Sequence, residues 1–142
     1  MPAQAHVIIA KCGVVGSGED PAYRQSITCG RHEMIGDEPP KRGGQDAGPA
    51  PFEYLLAALG SCTSITLRMY AQRKGWSLAS VSVTLELLQE GDARKIVRRV
   101  AVSGALDETQ VARLSEVVEK TPVTLVVKAG AEIRTTLSAV AA

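Results

Sequence analysis

Three cysteines and two histidines are the scarce reactive side chains in these 142 residues. Among them Cys62 has the setting that most resembles a chemical site. It lies in Gly60-Ser61-Cys62-Thr63, inside a stretch from Glu53 to Arg68 whose intervening residues carry no charge. A cysteine in such a place is either a small buried hydrophobe or a redox thiol. The redox role needs a lowered pKa, which a cation or a helix N-terminus supplies. In mid-helix the dipole gives little help, so the cation must come from Arg24, Arg31, Lys41, Arg42 or Arg68. Glu53 is the obvious carboxylate, nine residues upstream. On a straight helix that spacing turns about 900° and rises ~13 Å, so Glu53 faces away from Cys62 of its own helix. Glu53 therefore either partners the positive end of the helix dipole or reaches a cysteine of another subunit.

Other chemistries find little support. Cys12, Cys29 and Cys62 make an odd count without a Cys-x-x-Cys pair, which reads as reduced thiols in a soluble cytoplasmic protein. No cysteine or histidine pair has zinc-ligand spacing. His6 and His32 lack the partners of a triad, no Gly-x-Ser-x-Gly is present, and Gly43-Gly44-Gln45-Asp46-Ala47-Gly48 lacks a phosphate-loop lysine. His32 reads as a solvated hairpin residue, Arg98-Arg99 as a solvated or partner-facing basic edge, and Trp76 as a core anchor. A net charge of +1 with 4% aromatic residues gives no footprint for nucleic acid. Polar residues interrupt Tyr54–Leu67, so no membrane span is expected, and the opening MPAQAHVIIAK lacks the pattern of a secretory leader.

These side chains need elements to position them, and a single domain over residues 1–142 is the expected size. His6–Lys11 reads as a strand, Gly13–Pro21 as a turn-rich connector, and Tyr23–Thr28 with His32–Gly36 as a hairpin. Asp37–Pro51 holds four prolines and three glycines and reads as an ordered loop. Phe52–Lys74 is the strongest helix, opened by Pro49 and Pro51 and closed by Arg73, Lys74 and Gly75. Its uncharged middle implies burial all round, which a 15.0 kDa monomer has difficulty supplying and a dimer would supply. Val81–Leu88 alternates Val81, Val83, Leu85 and Leu87 against Ser82, Thr84 and Glu86, and Ile96–Ser103 returns as its hairpin partner. Asp107 opens a second helix with a capping box to Gln110, and Thr121-Pro122 ends it. Val123–Val127 is a short β-prone stretch and Glu132–Ser138 a last strand. The order of three strands, helix, two strands, helix, strand fits an α+β fold.

The run from Gly43-Gly44-Gln45 through Pro49-Ala50-Pro51 to Leu59-Gly60-Ser61-Cys62-Thr63 resembles the OsmC/Ohr family, the osmotically inducible and organic hydroperoxide resistance proteins. The continuation Leu67-Arg68-Met69-Tyr70-Ala71 to Arg73-Lys74-Gly75-Trp76 looks most like its OsmC-like branch. The resemblance implies an intertwined homodimer with long central helices between antiparallel sheets. It implies a peroxidatic cysteine matching Cys62, and an arginine and a glutamate that poise it across the dimer interface. Glu53 matches the glutamate one residue late, since Phe52 follows Pro51. Arg42 is the first choice for the arginine and Arg24 the second. The family's second cysteine falls where this chain reads Thr121-Pro122-Val123-Thr124.

With Thr121 in that place, Cys62 lacks a resolving thiol, because threonine cannot close a disulfide with a sulfenic acid. The expected function is therefore a one-cysteine hydroperoxide reductase, restored by an external thiol reductant or by Cys29 or Cys12, without metal or bound cofactor. The alternative is a non-catalytic dimer of the same fold holding a small apolar ligand in a cleft walled by Leu55, Leu56, Leu59 and Ile65.

Overall fold

A computed structural model of the chain describes residues 6–21 and 23–141. Two compact units emerge, one ending at Leu55 and the other beginning at Leu56, so the division falls inside the long helix.

The first unit carries a three-stranded antiparallel sheet of β1 (Cys12–Val15), β2 (Gln25–Cys29) and β3 (His32–Gly36), with β2 in the middle. Gly30, at φ 61°, makes the tight β2–β3 turn, the left-handed conformation that glycine adopts without cost. His32 is exposed there, as expected. The strand expected at His6–Lys11 is absent. Pairing begins at Cys12, opposite Cys29, and takes in Gly13–Val15, which the sequence assigned to a connector. Register with β2 decides where a strand starts, and an apolar run by itself does not.

The proline- and glycine-rich segment is an ordered loop closed on the buried Asp37. The Asp37 carboxylate accepts the backbone N–H groups of Glu38 at 2.8 Å, Gln45 at 3.2 Å and Ala47 at 3.1 Å. Burial pushes the Asp37 pKa up, but these N–H groups and the charge of Arg24 outweigh it and leave it below the usual carboxylate value. A 3-10 turn, Pro40–Arg42, rides on the loop. Gly48 passes so close to Ile35 that a Cβ there would overlap the Ile35 carbonyl oxygen.

The second unit is built on α1 (Pro51–Lys74), an antiparallel hairpin of β4 (Ser77–Glu90) and β5 (Ala93–Ala105), and two shorter helices, α2 (Glu108–Val118) and α3 (Pro122–Ala129). Leu59, Thr63, Leu67 and Ala71 recur every four residues on α1 and form its buried stripe. Beside them Gly60 lets the hairpin in, for a Cβ there would stand 2.8 Å from Leu85 Cδ1. On β4, Val81, Val83, Leu85 and Leu87 are half-buried while Ser82, Thr84 and Glu86 are exposed, as the alternation predicts. Asp107 caps α2 reciprocally with Gln110, the predicted capping box. Gly75, at φ 70°, closes α1, and Trp76 sets its ring against Tyr70 with centroids 5.5 Å apart.

Two expectations fail at the C-terminal end. Val123–Val127 lies in helix α3, because Thr121 caps it and Pro122 occupies its first turn, a start signal that overrides β-branched propensity. Glu132–Ser138 carries no strand, and Ile133 and Leu137 are almost fully exposed. The uncharged middle of α1 is buried on one stripe, whereas Ile65 and Met69 are more than half exposed.

Candidate functional site

Cys62 is a free thiol, half-buried at the middle of α1. Its Sγ lies 3.9 Å from Thr66 Oγ1, one turn on. Ala58, Cys62, Ile65 and Met69 fall within about 60° of one another around the helix, so the thiol sits in an apolar stripe beside the buried one. Ala58, Ile65 and Met69 are exposed on that stripe.

One residue on, Thr63 is fully enclosed and belongs to a polar cluster that sequence reasoning missed. Its hydroxyl donates to Leu59 O at 2.7 Å and accepts from Arg98 Nη1 at 2.9 Å. The same nitrogen donates to Thr124 Oγ1 at 2.8 Å, while Arg98 Nη2 donates to Val118 O at 3.1 Å and to Glu119 Oε2 at 3.2 Å. One guanidinium thus joins the middle of α1, the end of α2 and the first turn of α3. The expectation of Arg98 on a solvated or partner-facing edge is overturned, since its side chain turns inward and is only 11% exposed against 65% for Arg99. Planar, five-donor arginine suits such a multi-helix clasp in a way lysine does not. The signal was present in the strand period: Arg98 is in phase with Ile96, Val100 and Val102, all half-buried. Glu119 is held below its usual pKa, chiefly by a hydrogen bond from Lys128, against some desolvation, with Arg98 adding its charge.

Thr121 is fully enclosed too. Its hydroxyl lies 2.6 Å from Thr124 Oγ1 and takes the Thr124 N–H as the N-cap of α3. The position that the resemblance assigns to a second cysteine is therefore occupied by a helix cap.

In the first unit, Glu53 Oε1 accepts the Ala50 N–H at 2.9 Å, half of a capping box at the start of α1. Arg42 ends the 3-10 turn and is exposed, and Arg24 lies close enough to Asp37 to lower its pKa. Cys12 and Cys29 are joined by a disulfide across β1 and β2, with Cα atoms 4.3 Å apart. This corrects the reading of three reduced thiols. The two residues are directly opposed in register, which strand pairing brings about and residue spacing does not reveal.

Several grooves run along α1 in the second unit. One of about 320 Å³ runs along Leu56, Gly60 and Ser64 against Val81, Val83 and Leu85. Another, about 280 Å³, is lined by Leu59, Ile96, Val127, Arg98 and Lys128. Among the described residues no helix is long and apolar enough to cross a membrane.

A sequence profile described as OsmC-like protein matches residues 43–136, and the chain belongs to that family. Solved structures share the fold. An OsmC-like protein from Mycoplasma pneumoniae superposes with a TM-score of 0.71 at 14% identity, covering 85% of this chain and 88% of that one. An organic hydroperoxide resistance protein OsmC from Legionella pneumophila gives 0.62 at 17% identity, covering 87% and 92%. The organic hydroperoxide resistance protein OhrB of Bacillus subtilis gives 0.59 at 18% identity, covering 87% and 93%. A search of curated proteins gave no match.

Proposed function

We propose that this chain is a one-cysteine thiol peroxidase acting on organic hydroperoxides in the cytoplasm, as a homodimer of single-domain subunits. The observation that carries the reading is the free Cys62 at the centre of α1 in a chain of the OsmC-like family. The hydroperoxide resistance proteins among its structural neighbours support that substrate class. In this reading the Cys62 thiolate attacks the distal peroxide oxygen and the O–O bond breaks. The alkoxide leaves, takes a proton and departs as the alcohol, and Cys62 becomes a sulfenic acid. One external thiol condenses with it, releasing water and forming a mixed disulfide; a second thiol displaces Cys62 and leaves as the disulfide. Across the dimer interface, Arg42, or Arg24, steadies the thiolate and the departing alkoxide, and Glu53 orients that arginine.

The test is consumption of cumene hydroperoxide with dithiothreitol as reductant. Turnover should vanish in Cys62→Ser and persist in Cys12→Ser/Cys29→Ser, with dimedone trapping the sulfenic acid at Cys62. Equal consumption by wild type and Cys62→Ser would sink the proposal.

A second reading, a non-catalytic dimer holding a small apolar ligand, is favoured by the enclosed, hydrogen-bonded Thr121 and by the Leu56–Leu85 groove. It predicts no dimedone adduct and saturable binding of a fluorescent apolar probe.

A further inference from the structure

We infer that Cys12–Cys29 is a second redox centre, separate from Cys62, whose oxidation state decides whether β1 stays in the sheet. Little else holds β1. All four of its residues are exposed, and Val14 and Val15 bury no more than part of their surface. Among the described residues its pairing is with β2 alone, over four opposed residue pairs. A four-residue ladder without a buried side chain gains little against the entropy of ordering it. The disulfide closes the outer end of this ladder, joining the first residue of β1 to the last of β2 across 17 positions of chain. Residues 6–11 ahead of it are exposed and without strand structure, so no paired segment on that side takes over its role. The β2–β3 pair is independent of it, with five opposed pairs and a two-residue turn.

Cys12 is exposed, so a thiolate can reach its sulfur. An external dithiol attacks Cys12 Sγ, breaks the S–S bond and releases the Cys29 thiolate. Its second thiol then closes on the mixed disulfide and frees Cys12. Two electrons enter the protein, and the dithiol leaves as a cyclic disulfide. With the cross-link gone, β1 departs and β2 becomes an edge strand, its outward N–H and C=O groups open to pairing. A disulfide of this kind inside a reducing compartment is a transient, sensing bond, while in an oxidising one it is a staple.

The experiment uses the full chain and two readouts. Iodoacetamide under native conditions, followed by intact mass, should add two more adducts after dithiothreitol than before. Hydrogen exchange at residues 13–15 should then accelerate about a hundredfold, the loss expected when a cross-link over this span is opened. Exchange in β2–β3 and in the second unit should not change. Cys12→Ser/Cys29→Ser should show the fast exchange without reductant. Full alkylation before reduction, unchanged exchange after it, or loss of protection throughout the chain would each overturn the inference.

Discussion

Arg98 and Arg99 are adjacent, carry the same charge and have opposite consequences. Arg99 bonds Glu86 at 2.6 Å on the open face of the hairpin, a pair of the kind worth about 0–1 kcal/mol. Arg98 fills its donors with two threonine hydroxyls, a carbonyl and a carboxylate. Arg98→Met should lower unfolding stability by about 2–4 kcal/mol, since it strips charge-assisted bonds from enclosed groups. Arg99→Ala should cost under about 0.5 kcal/mol, and urea denaturation separates the two. Asp37 gives a pH signature. Its folded pKa is below the unfolded value, so its stabilisation is complete above the unfolded pKa near 3.9 and fades as pH falls through the folded one. Asp37→Asn should flatten the acid limb of a stability–pH curve, and an unchanged limb would assign acid unfolding to other carboxylates.

At the scale of elements, close approach matters more than propensity. Gly48→Ala would drive a methyl into the Ile35 carbonyl, a backbone atom that cannot swing away, and should cost about 1–3 kcal/mol or more. Gly60→Ala meets only the end of the Leu85 side chain and gains helix propensity, so its effect should be within about 1 kcal/mol. Thermal melts of the pair check this contrast. The same division explains what the sequence made legible. Helix α1, the β2–β3 and β4–β5 hairpins and the capping box of α2 were readable because periodicity and caps are local signals. Helix α3 was not, since Val123, Val126 and Val127 argue for a strand as strongly as Thr121-Pro122 argues for a helix start. The Cys12–Cys29 bond and the inward turn of Arg98 depend on register, which appears only once strands pair. At the candidate site Cys62 was legible from its uncharged surroundings and its motif, whereas the threonines around Arg98 gave no motif at all.

For the whole molecule, the exposed Ile65 and Met69 beside Cys62, and the exposed Ile133 and Leu137, leave apolar surface that a second copy would cover. Sedimentation should give twice 15.0 kDa, and Met69→Glu should shift the mass toward the monomer. A monomeric wild type would remove the proposed homodimer. Thr121 bears on any attempt to give such an assembly a two-thiol cycle. Its hydroxyl starts α3 and is braced by Thr124, which Arg98 binds in turn. Thr121→Cys would supply a nucleophile and surrender the cap, at about 1 kcal/mol. A resolving thiol and helix nucleation thus compete for a single side chain. Refitting this protein for internal electron transfer is a folding problem before it is a redox one.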